Sequence, residues 1–313
     1  MSLRKKSVFL TGGAGFIGFH LQKALKSTFD VRSIDILQDS NVAALTRSRN
    51  CEHIDTADIR HAFHMPSNTD VLVHLAALTG IAQSAVQPSS YLDVNVQGTL
   101  NVLEQARKNG VTKVIYASSS SVYTPHEGPV NENAPTSNPL SFYGSTKKMS
   151  EVLVENYCRQ FGMTAIGLRF FTVYGSWTRP DMAAYKFMKS IDSNQSITIY
   201  QAEQLKRDFT HVSDIVEGIK RLIALLPEME MGTHELFNIG FGNPVLVKDF
   251  ATEIAVALKK ELHIEHGILP SNEVLSTHAD TTKLQQFTGF KPSVSIEEGV
   301  KEMVQWFKQN AYE

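Results

Sequence analysis

Two side chains near the middle of the chain, Tyr143 and Lys147, have the types and the spacing needed to move a proton. They are four residues apart, so a helix over about 143–161 would place both on one face. A phenol has an unperturbed pKa near ~10, which makes it a poor base at neutral pH. A nearby ammonium favours the phenolate and lowers that pKa. The spacing therefore predicts a phenol that acts as a base with the help of Lys147.

A run of four serines, 118–121, precedes this pair and follows a stretch of apolar and β-branched residues. The pattern predicts a strand over 113–119, with the serines at its carboxyl end. Open α/β sheets bind their ligands at the carboxyl ends of strands. We therefore expect one of these serines to give the reacting oxygen a second hydrogen bond.

The beginning of the chain predicts a strand at 7–11, a tight turn and then a helix. Gly12 can adopt the backbone angles of the turn, Gly15 allows the main chain to approach a ligand, and Gly18 lets the helix pack on the strand. The free N–H groups at the start of such a helix suit a pyrophosphate. This stretch therefore predicts a dinucleotide site.

Asp35 lies 20 residues after Gly15, at the end of the second predicted strand. A carboxylate in this place binds the ribose diol of adenosine. Ile36 follows it, where an arginine would be needed to accept a 2′-phosphate, so the predicted cofactor is NAD rather than NADP. With this cofactor, Lys147 can hold the nicotinamide ribose and bring Tyr143 to the hydride-transfer centre.

Strand and helix patterns alternate through the first 174 residues, which is typical of a parallel sheet covered on both faces. Among the predicted elements are a strand at 70–77, a helix at about 90–109 and a strand at 164–170. Beyond residue 174 the elements are shorter and the loops longer. We predict an α/β fold, a Rossmann-like doubly wound parallel sheet (1–174, with about 208–240 returning to it) and a smaller C-terminal α/β substrate lobe (mainly 175–313).

The composition is that of an ordinary globular protein, with 313 residues, 42% of them hydrophobic and 20% charged. A net charge of −2 gives no reason to expect nucleic acid or an anionic membrane as a partner. The charged start is followed by an apolar run that a Thr-Gly-Gly sequence interrupts, so we expect no signal peptide, and no later run approaches a membrane span. Cys51 and Cys158 are the only cysteines and provide neither a disulfide framework nor a metal-ligand spacing. We expect a cytoplasmic protein without a bound metal.

Taken together, these motifs resemble the extended short-chain dehydrogenases/reductases, in the group of nucleotide-sugar epimerases and dehydratases. The resemblance covers essentially the whole chain. The matching segments are residues 11–18, 58–59, 74–77, 95–99, 118–121, 143–147, 169–175 and 207–209.

The resemblance implies roles for individual residues. Ser119, Tyr143 and Lys147 match the catalytic serine, tyrosine and lysine, and Arg207 matches a residue that grips the diphosphate of a UDP- or dTDP-sugar. It also implies a homodimer formed by the helices near 90–109 and 143–161. The residues that it implies for NAD are Gly12, Gly15, Phe16, Ile17, Gly18, Asp35, Asp58, Ile59, Leu75, Ala76, Ala77, Asn95, Tyr143 and Lys147.

The segment 179–183 resembles UDP-glucuronate 4-epimerases. Dehydratases and decarboxylases of the family carry acidic residues where this chain has Ser120 and Ser121, and serines are too weak as acids and bases to eliminate water across C5–C6. We therefore expect the chain to invert C4 of UDP-glucuronate, with Ser119, Ser120, Ser121, Thr172 and Arg179 around the sugar. The alternatives are an epimerase for UDP-glucose or a UDP-N-acetylhexosamine, a dehydratase or decarboxylase, and an NAD-binding protein without catalysis.

Overall fold

The computed structural model describes residues 4–38, 41–52 and 54–310, so the first three residues of the charged start lie outside it. A π-helical turn at Leu92–Gln97 and 3-10 turns at Ser120–Val122 and Leu226–Glu228 accompany the regular elements. In chain order the strands and helices are β1 Ser7–Thr11, α1 Phe16–Leu25, β2 Asp30–Asp35, α2 Val42–Arg49, β3 Ile54–Thr56, β4 Val71–His74, α3 Ile81–Val86, α4 Pro88–Tyr91, α5 Gly98–Lys108, β5 Lys113–Ser119, α6 Phe142–Phe161, β6 Thr164–Phe170, β7 Thr172–Tyr174, α7 Ala183–Asp192, β8 Ile197–Tyr200, β9 Lys206–Arg207, β10 Phe209–His211, α8 Val212–Leu225, β11 His234–Ile239, β12 Val245–Leu246, α9 Val247–Leu258, β13 Ile264–Gly267, α10 Thr282–Thr288 and α11 Ile296–Asn310.

The centre of the fold is a seven-stranded sheet in the order β11-β6-β5-β4-β1-β2-β3, and every pairing in it is parallel. The inner strands β1, β4, β5 and β6 are made largely of buried apolar residues, as expected when helices cover both faces of a sheet. The predicted Rossmann-like α/β fold is confirmed. Because the strands are parallel, their carboxyl ends share one edge of the sheet, where β2 ends at Asp35 and β5 ends at Ser119.

The predicted helix at about 90–109 contains a local irregularity. The helical backbone runs from Pro88 to Lys108, but it widens to a π-helical turn at Leu92–Gln97 before it resumes as α5. Asn95, one of the predicted cofactor residues, is buried inside this turn. Such turns are rare and frequently occur at functional sites.

Helix α6 carries the Tyr/Lys pair and begins one residue before the predicted start. Its first turn is capped by the Ser141 hydroxyl, which accepts a hydrogen bond from the Gly144 amide at 3.0 Å. It ends at Gly162, which has a φ of 68° and is therefore in the left-handed conformation that favours glycine. The Ser141 cap therefore places Tyr143 in the first turn of the helix.

A second apolar core lies among the C-terminal elements. It joins α7, α9 and α11 with the strands β8 and β10, and Tyr174 belongs to it. Strand β11 belongs to the central sheet, where it pairs with β6. The division of the chain at residue 174 stays a prediction. Within the described part of the chain, no helix has the length and apolar character needed to cross a membrane.

Candidate active site at the carboxyl ends of the strands

The Tyr/Lys pair of α6 meets the end of β5. The Lys147 ammonium donates to the carbonyl oxygen of Ala117 at 3.0 Å, and the side chain of Ser119 lowers the pKa of the Tyr143 phenol. Lys147 is buried, and burial lowers its pKa to about 8. The fold therefore brings together the three residues predicted to be catalytic.

The charge that acts on the Tyr143 phenol comes from Arg179. Burial raises the pKa of Tyr143, while the hydrogen bond with Ser119 and the positive charge of Arg179 lower it by a smaller amount. The net shift of this pKa is therefore upward, and the help that Lys147 gives to the phenol stays a prediction. Burial of the phenol raises this pKa by more than the positive charge of Arg179 lowers it.

The glycine-rich turn has the shape predicted for a dinucleotide site. Gly12 has a φ of 80°, and a Cβ atom there would lie 2.6 Å from the amide nitrogen of Ala76. A Cβ atom on Gly18 would collide with the carbonyl oxygen of Gly12. Gly15 precedes α1, which starts with Phe16 and Ile17. Only glycines allow this close packing of the turn, the helix and the neighbouring strand end, so the turn fits a pyrophosphate.

Two predicted adenosine contacts follow the next strands. Asp35 ends β2, and its Oδ2 accepts a hydrogen bond from the Ala14 amide at 2.8 Å, which ties the carboxylate to the glycine-rich turn. Burial raises the pKa of Asp35. Asp58 follows β3 and holds the guanidinium of Arg60, with distances from Oδ1 and Oδ2 to Nε of 3.1 and 2.9 Å. Ile59 is buried.

The other predicted cofactor residues support the backbone beside β1. The amides of Leu75 and Ala76 bind the carbonyl and the hydroxyl of Thr11 at 3.0 and 3.3 Å, and Ala77 follows them. The Asn95 side chain accepts from the Leu78 amide at 2.8 Å and donates to the Leu78 carbonyl at 3.0 Å. Asn95 thus holds the loop after β4 in place.

The predicted substrate residues Ser120, Ser121, Thr172 and Arg207 line one cleft. With the solvent at its mouth, the cleft encloses about 770 Å³. Arg207 is held at its wall by Glu273, with 3.1 Å between Nη2 and Oε2. No local sequence pattern predicts the part of Glu273 in this cleft, because 66 residues separate it from Arg207.

Arg179, the remaining predicted substrate residue, lies on the Tyr143 side of the site. It forms a two-point ion pair with Asp181, with 2.9 Å from Nε to Oδ1 and 2.8 Å from Nη2 to Oδ2. Its charge acts on both Tyr143 and Tyr91. The ring of Tyr91 meets that of Tyr143 edge-on, with 6.3 Å between the centroids. The positive charge of Arg179 therefore lowers the pKa of both phenols.

The loop that leads to Arg179 is fixed by residues from distant parts of the chain. Arg47 is almost fully buried and donates to the carbonyl oxygens of Ala14 and Trp177 at 2.6 and 3.0 Å. The Ser176 hydroxyl donates to Glu302 at 2.8 Å. Arg47 therefore links the glycine-rich turn to the loop before Arg179.

Comparison with known proteins identifies the family of the chain. Residues 8–240 match the model of the family described as "NAD dependent epimerase/dehydratase family". A "Probable UDP-glucuronate 4-epimerase" from Rhizobium meliloti is 35% identical over an alignment of 332 positions, which covers 96% of each chain. The structure of "UDP-Glucuronic acid 4-epimerase from Bacillus cereus in complex with UDP-Glucuronic acid and NAD" has a TM-score of 0.86 and 28% identity, covering 97% of this chain and 99% of that one. "MoeE5 in complex with UDP-glucose and NAD" has a TM-score of 0.86 and 30% identity over the same shares.

Proposed function

This chain belongs to the NAD-dependent epimerase/dehydratase family, and from that premise we propose that it inverts C4 of UDP-glucuronate to give UDP-galacturonate through a transient 4-keto sugar. Relatives of nearly equal length that are named UDP-glucuronate 4-epimerases support the reaction. The observation that carries the proposal is the place of the Tyr143 phenol on the helix face whose Lys147 contacts the end of β5. There the side chain of Ser119 and the charge of Arg179 both lower the pKa of the phenol. The phenol suits a sugar hydroxyl that loses a proton, and the charge of Arg179 suits a sugar carboxylate.

Tyr143 and Ser119 act on the 4-hydroxyl of the sugar. The Tyr143 oxygen accepts the hydroxyl proton while the C4 hydrogen leaves as hydride, and it returns the proton when hydride adds to the other face of C4. Ser119 holds the same oxygen with a hydrogen bond. NAD+, when bound, supplies the reversible hydride acceptor and a positive charge that favours the phenolate. Lys147 suits the nicotinamide ribose, since its ammonium lies beside the end of β5.

The sugar carboxylate needs restraint, because a 4-keto uronate is a β-keto acid and can lose CO₂ unaided. Arg179 can give it a charge-assisted hydrogen bond, and the hydroxyls of Ser121 and Thr172 can accompany it. Arg207 lines the same cleft and suits the diphosphate. Ser120 and Ser121 offer no carboxylate for removing the C5 proton, so dehydration is not favoured.

The test is the product spectrum of the wild-type protein and of Arg179→Ala with UDP-glucuronate, read by NMR. We expect the wild type to give the C4 epimer with little UDP-pentose, and Arg179→Ala to bind poorly or to release pentose. Arg4→Ala is a matched control, because Arg4 is exposed and precedes β1 at the opposite end of the sheet. Turnover of UDP-glucose without turnover of the uronate would replace this proposal with a neutral-hexose epimerase.

We also propose that the protein is a homodimer formed through the helical segment at 88–108 and α6. Both present exposed apolar side chains, with exposed fractions of 38% for Leu92, 44% for Met149 and 52% for Val152. A helical face of this kind is typical of a protein–protein contact. Light scattering should give a dimer mass for the wild type and a monomer mass for Val152→Lys. A wild-type monomer would contradict the proposal.

A further inference from the structure

We propose that Glu151, together with Arg169, is a positioning residue that fixes the end of β5 against the face of α6 carrying Tyr143 and Lys147. Glu151 follows Lys147 by four residues, so the three side chains share that face. The activity part of this inference rests on the proposed epimerisation, whereas its structural part does not.

The geometry at the end of β5 is an interlocking set of contacts with consecutive residues. Lys147 donates to the Ala117 carbonyl at 3.0 Å, and the Ser118 hydroxyl donates to Glu151 Oε1 at 2.7 Å. The side chain of Ser119, the next strand residue, lowers the pKa of the Tyr143 phenol. One helix face therefore engages three successive strand residues, and Glu151 supplies the one contact that does not itself involve a predicted catalytic residue.

Arg169 completes the set from the neighbouring strand. It lies opposite Ser118 in the β5–β6 register, and it donates from Nε and Nη2 to the two carboxylate oxygens of Glu151 at 2.8 and 2.9 Å. Both side chains are only 2% exposed. Burial alone would raise the pKa of Glu151, but the bonds from Arg169 and Ser118 outweigh it and lower this pKa. The carboxylate is therefore charged and fully engaged.

Such a buried pair is poor evidence for a stabilising role. Desolvation of two charges often cancels their attraction, and apolar residues of similar volume can stabilise a core as well. The pair instead orients the Glu151 carboxylate, because a two-point contact between arginine and a carboxylate fixes both distance and orientation. A role in positioning explains why the charged side chains of Glu151 and Arg169 are buried next to the predicted catalytic residues.

The same arginine also reaches the substrate cleft. Its Nη1 donates to the Glu132 carbonyl at 3.0 Å, and its guanidinium lies 4.8 Å from the centre of the Tyr123 ring. Tyr123 lines the cleft, and its hydroxyl bonds to Asn238. Arg169 thus couples the position of α6 to the wall of the cleft.

The test removes the Ser118–Glu151 contact without leaving a buried charge unpaired. Ser118→Ala deletes the hydroxyl and keeps the ion pair with Arg169. Thr164→Val is the matched control, because it deletes a buried hydroxyl at the opposite end of the same sheet.

We expect Ser118→Ala to match Thr164→Val in its denaturation midpoint, its bound NAD and its KM. Its kcat should fall about tenfold, because small misplacements of reacting groups have large effects on rate. A kcat equal to that of Thr164→Val, or a loss that appears in KM or in stability instead, would overturn the proposal.

A second readout is independent of turnover. In protein labelled with ¹³C-tyrosine, the Cζ signal of Tyr143, assigned with Tyr143→Phe, should shift in Ser118→Ala and stay in place in Thr164→Val. An unmoved signal in Ser118→Ala counts against Glu151 as a positioning residue. If the wild type turns over no UDP-sugar, the proposed function fails, and this signal alone decides the positioning role.

Discussion

The Lys147 ammonium lies 3.0 Å from the carbonyl oxygen of Ala117 in a place where the lysine side chain is almost completely buried. Burial disfavours the charged form and lowers the pKa of Lys147 from 10.5 to about 8. The strand end therefore holds a cation whose charge is sensitive to pH just above neutrality. This relationship leads to the first prediction.

Lys147→Met should change how stability depends on pH. Between pH 8 and 10.5 the unfolded chain binds more protons at Lys147 than the folded chain does, so the wild type gains stability as the pH rises. Lys147→Met should lose this gain, which amounts to roughly 3 kcal/mol over the whole window. Urea denaturation at pH 7, 8, 9 and 10 measures it, with the exposed Lys189→Met as control. Parallel pH profiles for Lys147→Met and the wild type would contradict the burial of the charge.

Tyr143→Phe should fold and bind UDP-sugar and NAD while losing turnover, because only the ionisable oxygen is removed. General acid–base groups contribute roughly 10²–10⁴-fold to the rate, and we expect a loss of kcat in that range. Tyr200→Phe removes a phenol oxygen from the exposed end of β8 and should keep full activity. Near-normal turnover by Tyr143→Phe would exclude the phenol as the base.

Asp35→Asn should weaken the preference for NAD over NADP. The carboxylate can accept from both ribose hydroxyls and repels a 2′-phosphate, and hydrogen bonds to charged groups contribute about 1.5–3 kcal/mol. We expect the Kd for NAD+ to rise roughly tenfold or more, while that for NADP+ falls. Asp30→Asn, at the exposed start of the same strand, is the control. Wild-type protein that binds NADP+ more tightly than NAD+ would disprove this role for Asp35.

Glu273→Gln should strengthen the binding of UDP. The carboxylate offsets the charge of Arg207 in the cleft, and partly exposed pairs of this kind contribute about 0.2–1 kcal/mol. Its removal should lower the Kd for UDP by roughly two- to fivefold at low salt, as measured by calorimetry. Arg207→Met should have the opposite and larger effect. If UDP binds equally well to both variants, Arg207 does not bind the diphosphate.

The features that the sequence determined by itself are those encoded by local spacing. The glycines at 12, 15 and 18 specify a turn because only glycine tolerates its backbone and close contacts. Alternating strand and helix patterns specify a parallel sheet because crossover helices must cover both faces. The four-residue spacing of Tyr143 and Lys147 places them on one helix face in any structure that keeps the helix.

Only the tertiary structure decided the contacts between residues far apart in the chain. Arg47 reaches Trp177 across 130 positions, and Glu151 meets Ser118 across 33, so no local pattern predicts either contact. The direction of the Tyr143 pKa also depended on the fold, because burial and the charge of Arg179 depend on how distant segments pack. The sequence alone thus identified the candidate reacting side chains. The tertiary packing determined their burial and the charged groups near them, and these control their pKa values.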